Sequence, residues 1–237
     1  MKKLIKESRQ RINKDLQDPE KRQYFSPAAY AAHQATFPMI VRYAHGNVID
    51  VGCGDMPYKN ALPKMVKEYD TIDVERRVPD VKYIGDIHNM NALLDGHYDT
   101  AFCLEVLEHV QNPFLALGEI NRILKKKGYL ILSAPHLSRL HEEPHDYFRY
   151  TKHGLRLMLE RTGFTILSIT PGGGLFCFLG HQISTVVLCL VWHVPVIKQI
   201  LFFLNKWLCV KICYILDNVF DKDKIFALGY TVVAQKL

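Results

Sequence analysis

Short apolar runs recur along the chain, each closed by a polar or glycine-bearing turn. The runs at 48–51, 69–74, 82–84, 98–103 and 129–133 are too short for helices and rich in β-branched and aromatic residues. They predict strands. Phe114–Leu124 has helical spacing, and a second helix through Arg156–Thr162 is ended by Gly163. Phe164–Thr170 reads as a further strand and Ala227–Gln235 as the natural final one. Strands alternating with helices argue for a parallel sheet of an α/β fold.

Between those last two strands the pattern changes. From Thr162 through Ile197 the chain has no Asp, Glu, Lys or Arg. Leu175–Ile197 is long enough for a bilayer, which about 20 apolar residues cross, although His181, Gln182, Ser184, Thr185, His193 and Pro195 dilute it. A second apolar segment, Gln199–Leu216, holds only Lys206 and Lys211. Lys198, Gln199, Asn205 and Lys206 fall within about a third of the helical circle, which predicts a partly amphipathic helix. Both ends of the insertion must return to one sheet, so the segment is expected to rest on or dip into a membrane, bending near Pro195 and Lys198. A lid packed against the domain, or a dimer interface, is the alternative.

Composition narrows this picture. At 237 residues, 49% of them hydrophobic, the chain fits one domain with an insertion. The expected division is an N-terminal helical segment over 1–45, a main domain over 46–170 and 226–237, and the insertion over 171–225. Net charge is +6, and Lys2, Lys3, Lys6, Arg9, Arg11, Lys14, Lys21 and Arg22 crowd the start of the chain. Four acids interrupt them, so a solvated helix or attraction to anionic lipid is expected. Nucleic acid is not, because no basic groove interleaved with aromatics occurs. Cysteines 53, 103, 177, 189, 209 and 213 form no CxxC pair and read as reduced thiols of a cytosolic protein. The charged start lacks the apolar stretch of a signal peptide.

The sharpest chemical signal is Val48-Ile49-Asp50-Val51-Gly52-Cys53-Gly54-Asp55. A strand ends in an acid, and a glycine-bearing turn lets backbone N–H groups approach a ligand. More acids follow at or just after strand ends: Asp73, Asp86 and Glu105. Ligands of open α/β sheets sit at those ends. This ordered series, with "FCLEVLEHVQNPFLALGEINRILKKKGYLILSAPH", resembles the class I S-adenosylmethionine-dependent methyltransferases of the type 11 group. The segment "HEEPHDYFRYTKHGLRLMLERTGF" is similar to members from surface-glycan biosynthesis clusters.

The resemblance covers roughly residues 30–170 and the final strand. It implies a Rossmann-like, seven-stranded, mostly parallel sheet with an antiparallel last strand, the apolar helical insertion falling between the last two. It also implies S-adenosyl-L-methionine as cofactor. Asp50, Gly52 and Gly54 would hold its amino-acid end, Asp73 its ribose hydroxyls, and Asp86 with the Ile87 N–H its adenine. The third glycine of the family pattern is replaced by Asp55-Met56-Pro57. For each acid, a helix-cap or turn role is the alternative.

If a helix begins near Leu104, then Glu105, Glu108 and His109 share a face. That spacing resembles the metal site of magnesium-dependent small-RNA 2′-O-methyltransferases and of certain quinone-precursor O-methyltransferases. The metal-free reading is adopted instead, with Glu105 near the cofactor and His109 lining the substrate pocket. His136, His141, His145 and His153 follow. In the resembling subset, the segment holding His141, Pro144, Asp146, Tyr147, Arg149 and Tyr150 forms an active-site loop, with His136 on the catalytic edge. His141 oriented by Asp146 is the preferred proton acceptor. The alternative has Asp146 in an ion pair with Arg149 and Thr151 capping the next helix.

These readings imply O-methylation of a lipid-linked or amphiphilic glycan or small-molecule acceptor at the inner face of the cytoplasmic membrane. Peripheral contact would run through 171–225. A soluble small-molecule methyltransferase and a non-catalytic cofactor-binding subunit are the rivals.

Overall fold

A computed structural model describes Ser8, Arg11, Ile12, Asp15, Leu16 and residues 18–237. Lys2, Lys3, Lys6, Arg9 and Lys14 of the basic N-terminal run lie outside the described residues. The chain forms two compact units. One comprises Ala35–Thr170 and Gly229–Leu237; the other comprises the described residues up to Gln34 together with Pro171–Leu228.

The first unit is built on strands β1 (Gly46–Val51), β2 (Val66–Asp73), β3 (Tyr83–Ile84), β4 (Tyr98–Leu104), β5 (Leu124–Pro135), β6 (Phe164–Gly172) and β7 (Gly229–Lys236). They form one sheet in the order β3-β2-β1-β4-β5-β7-β6. The first five pair in parallel, and β7 lies antiparallel to β5. The Rossmann-like sheet read from the sequence is therefore present, with its insertion between β6 and β7. Strands covered on both faces need apolar residues on both. Accordingly Val48, Ile49, Ala101, Phe102, Leu130, Ile131 and Leu132 are all fully buried. Each large side chain so buried contributes roughly 1.5–3 kcal/mol.

Helix α1 (Pro27–Tyr43) precedes β1, α2 (Pro113–Ile123) precedes β5, and α3 (Lys152–Arg161) precedes β6. The Asn112 side chain accepts the Leu115 N–H at 3.2 Å, capping α2 just before Pro113. Ala116, Leu117, Ile120 and Ile123 then bury one face. Thr151 accepts the Gly154 N–H at 3.0 Å at the start of α3, and Gly163, at φ 85°, follows its end.

Two expectations are corrected. β5 begins at Leu124, so the basic run Lys125–Lys127 lies within that strand rather than ahead of it. Lys125 is held there by Asp99 at 2.8 Å. Nor does a helix begin at Leu104. β4 runs through that residue, Glu105 takes φ 55°, and only the short 3₁₀ turn Leu107–His109 follows.

In the second unit α4 (Leu175–Val191) is followed by α5 (Pro195–Leu204). The helix then passes through a π-helical stretch, Asn205–Lys211, into α6 (Ile212–Phe220). The base is anchored by acids on or just past α6. Asp217 accepts the N–H groups of Gly174, Phe176 and Cys177, and Asp221 accepts that of Leu175. Four donors at the start of α4 are thereby satisfied. Three members of the polar stripe of the second segment, Lys198, Asn205 and Lys206, face protein, and Gln199 is exposed. Asn205 donates to the Tyr24 and Phe25 carbonyls at 3.0 and 3.1 Å and meets the Ser184 hydroxyl at 2.5 Å. Lys198 pairs with Asp15 at 2.6 Å, and the Lys206 ammonium lies 4.1 Å from the centre of the Tyr24 ring. Many of the side chains left outside are apolar: more than half of the exposed large hydrophobics among the described residues lie between Leu179 and Phe226. By length and composition, the 26-residue helix Pro195–Phe220 suffices to cross a membrane.

Candidate active site

Two groups of side chains gather in the first unit where the parallel strands end. The first is the acidic edge beside the glycine turn. Asp50, near the end of β1, is buried and accepts the Tyr69 hydroxyl at 2.5 Å. Burial pushes its carboxyl up to about 6, against the Tyr69 hydrogen bond and with help from Asp73. The sequence reading passed over Tyr69; its signal is its place on the strand that pairs with the Asp50 strand.

Gly52 (φ 70°) sits so close to Val106 that an added Cβ would come within 2.6 Å of its side chain. Gly54 (φ 50°) opens onto free space, where any side chain would enter the cradle. The Gly54 N–H donates to Asp73 at 2.9 Å, and Asp73 is itself buried at the tip of β2. The turn and the second acid are thus built as one piece. The Gly85 N–H donates to the Asp73 carbonyl at 2.9 Å, which sets Asp86 and the buried Ile87 just beyond. The Asp86 carboxylate is exposed and held by the His88 N–H and imidazole at 2.9 and 2.6 Å. The His88 hydrogen bonds keep it below the usual carboxylate range.

Glu105 completes this edge. Its N–H reaches the Ser133 carbonyl and hydroxyl at 3.0 and 3.1 Å. Glu105 is exposed to solvent, and the protein around its carboxyl raises it, with Glu108 adding and a Ser133 hydrogen bond opposing. Tyr58, pushed to about 12 by burial and then by Glu105 and Asp50, stands near both acids.

The second group joins distant parts of the chain. The Tyr147 N–H donates to the Glu108 carbonyl at 2.8 Å, and the Tyr150 hydroxyl donates to the Leu107 carbonyl at 2.9 Å. These bonds fasten the loop His136–Tyr150 to the 3₁₀ turn. Glu108 is fully buried, and the Nε2 atoms of His109 and His141 each lie 3.7 Å from its Oε1. The two rings cross at 79° with centroids 4.8 Å apart. Glu105, Glu108 and His109 do not share a helical face, because the backbone after β4 is a left-handed residue and a 3₁₀ turn. His141 takes the third place instead.

Asp146 is gripped by Arg149 at 2.6 and 2.7 Å and accepts the His141 backbone N–H at 2.8 Å. Arg149 holds its carboxyl well below the usual range. The His141 Nδ1 is 3.5 Å from Asp146, so the nearer carboxylate relation of Asp146 is with Arg149. The facing Glu108 holds the His141 imidazole above its ordinary range, against burial. His136, directly after β5, lies against Tyr230, and burial lowers it. His145 touches the group through its carbonyl, 2.5 Å from the His109 Nδ1. His153, exposed on α3, is not brought in.

A glycine cradle and buried acids at the ends of parallel strands, beside a histidine–carboxylate group, stand where open α/β sheets bind their ligands. The chain belongs to the methyltransferase-domain family, whose sequence profile matches residues 20–169. S-adenosylmethionine is the cofactor that this family implies. Over 106 residues it is 26% identical to a ubiquinone biosynthesis O-methyltransferase of Xanthomonas oryzae, covering 38% of this chain and 43% of that one. The chain spans about two fifths of the length of the curated relatives it matches. Its fold is similar to that of a SAM-dependent methyltransferase from Aquifex aeolicus. There the TM-score is 0.53 at 15% identity, over 93% of this chain and 99% of that one. The [4+2]-cyclase SpnF matches at TM-score 0.54 and 16% identity, over 86% and 78%. Because the fold is shared with a cyclase, the chemistry has to be argued from the site.

The residues fit the cofactor: an open backbone cradle lies at Gly54, beside the buried carboxylates of Asp50 and Asp73. Replacing Asp73 by Ala removes both acceptors for a pair of ribose hydroxyls. The expected loss of S-adenosylmethionine affinity is about 1–3 kcal/mol, or roughly 5–150-fold. Calorimetry on the folded variant measures it; unchanged affinity would remove Asp73 from the cofactor site.

Proposed function

We propose that the enzyme methylates a hydroxyl oxygen of an amphiphilic acceptor, a lipid-linked glycan, at the inner surface of the cytoplasmic membrane. The single observation that carries the amphiphilic part is the inverted insertion. Asn205, Ser184 and Lys198 are bound within the unit, whereas Leu179, Ile183, Val186, Ile200, Phe203 and Leu208 are left outside. Water gives no reason for that arrangement, whereas a hydrocarbon surface does. β6 and β7 are neighbours in the sheet, so the insertion leaves and returns on one side. The 17 residues of α4 rise only about 25 Å, short of the roughly 30 Å hydrocarbon core. A hairpin that dips into one leaflet satisfies both facts. Oxygen as the methylated atom is supported by the O-methyltransferase relative and by the histidine–carboxylate group. The glycan is supported by the His141–Phe164 segment's resemblance to surface-glycan enzymes.

When bound, the cofactor supplies an electrophilic methyl group on a sulfonium. Asp50 and the Gly52–Gly54 turn hold its amino-acid end, Asp73 its ribose, and Asp86 with Ile87 its adenine. Glu105, just past the end of β4, would approach the cofactor. The acceptor's proton goes to the group formed by Glu108, His109 and His141. His136 borders the acceptor side, and Arg149 with Asp146 fixes the loop that carries His141. Positioning supplies much of the remaining acceleration.

The test is incubation of the enzyme with cofactor labelled in its methyl group and a membrane extract. Label should pass to the organic phase in a base-stable linkage, as an ether is. Label confined to water-soluble products would overturn the amphiphilic acceptor and favour a soluble one.

A further inference from the structure

Tyr69 stands on β2 opposite Val48 of β1, so it shares a sheet face with Asp50, two residues further along β1. Its ring packs against two apolar clusters, one holding Ile40, Val48 and Phe102, the other Cys53, Met56 and Val81. Fixed in that direction, the long side chain carries its hydroxyl to the end of β1. There it donates to the Asp50 carboxylate at 2.5 Å. Burial and then the Asp50 charge push the Tyr69 hydroxyl up, so it keeps its proton and remains a donor. A phenylalanine would fill the same space, so packing gives no reason for the hydroxyl.

Asp50 gives one. A carboxyl taken out of water favours its neutral form, and burial pushes Asp50 up to about 6. The Tyr69 hydrogen bond opposes that rise by stabilising the charged form, and the neighbouring Asp73 adds to it. Asp73, on β2, is itself held by the Gly54 N–H. Cys53 and Tyr58, after β1, are pushed up to about 12 by burial, and burial pushes Cys103 on β4 up as well. These three therefore stay neutral through the range in which Asp50 titrates.

We infer that Tyr69 is a positioning residue of the cofactor site, whose hydroxyl keeps Asp50 ionised and aimed at the ammonium of the cofactor's amino-acid end. The inference rests on the assignment of Asp50 to that end. An ammonium offers donors and no acceptor, so a protonated carboxyl loses the charge pairing with it. Binding competence is thus present above the Asp50 titration and is lost as pH falls through it. Without the phenol hydroxyl, that loss moves to higher pH.

Full-length wild type and Tyr69→Phe are titrated by calorimetry with S-adenosylhomocysteine, which has no methyl group to transfer, from acid to alkaline pH. A hydrogen bond to a charged group supports ionisation by about 10–100-fold, so the variant should bind more weakly by that factor near pH 5. The deficit should vanish near pH 9, where Asp50 is ionised in both proteins. Whatever Glu105 and the ligand's own amine contribute is common to both and cancels in the ratio. Heats in two buffers of different ionisation enthalpy should show the variant releasing more protons near neutrality. Asp50→Asn should bind weakly even near pH 9, and adding Tyr69→Phe to it should weaken binding no further. Circular dichroism checks each fold; if Asp50→Asn does not fold, the pH course of Tyr69→Phe decides alone. A Tyr69→Phe deficit equal at every pH, or no deficit at any, overturns the inference and leaves Asp50 in the cofactor site. Asp50→Asn binding like wild type near pH 9 overturns the inference together with the Asp50 assignment.

Discussion

Replacing His141 by Ala should lower turnover by about 10²–10⁴-fold while leaving S-adenosylmethionine affinity unchanged. The two halves of this expectation rest on different residues. Cofactor binding is assigned to Asp50, Asp73 and the glycine turn, none of which has His141 among its hydrogen-bond partners. The acceptor's proton is assigned to the group in which His141 faces the buried Glu108. Because Glu108 holds the imidazole above its ordinary range, the site holds its proton to higher pH than a free imidazole would. A group that must receive a proton works only after losing its own, so the wild-type rate should climb with pH through that range. The residual rate of His141→Ala should be flat there. Steady-state kinetics across pH, with calorimetry for the cofactor, measure both. Full turnover in a folded His141→Ala protein would leave positioning as the whole mechanism.

The acidic edge was legible because it depends on local features. A strand's last residue and the glycine turn after it are neighbours in sequence, so Asp50, Gly52 and Gly54 announce their place, and Asp73 follows from the next strand. The second group was not legible in the same way. Spacing alone made Glu105, Glu108 and His109 a helical triad, but β4 runs on to Leu104 and the chain then turns sharply. What brings His141 to Glu108 is a set of long-range bonds, Tyr147 to Glu108 and Tyr150 to Leu107, that no periodicity encodes. Tyr69 was missed for a related reason: its partner Asp50 lies on the adjacent strand. In the insertion, lack of charge was plain, yet which face turned inward was not. That was decided by Asn205 finding the Tyr24 and Phe25 carbonyls far back in the chain.

The same inverted face carries the second large effect. Wild-type protein should float with liposomes containing anionic lipid, and a chain lacking 175–216 should remain in the soluble fraction. A milder variant guards against misfolding in the deletion: Ile200, Phe203 and Leu208, each more than half exposed, changed together to Glu. These side chains pack little within the unit, so the fold and cofactor affinity should survive. Each charge carried to full depth in hydrocarbon costs about 2.5–3.5 kcal/mol, less near the interface. Three should therefore abolish flotation outright, rather than weaken it by the small factor that screening of surface charges gives. Raising the salt concentration on wild type separates the two contributions: flotation that persists in high salt marks burial of the apolar face. If wild type stays soluble without detergent and without aggregating, or the triple variant floats as wild type does, the membrane reading fails. The exposed face then belongs to a protein contact, and the acceptor is met in solution.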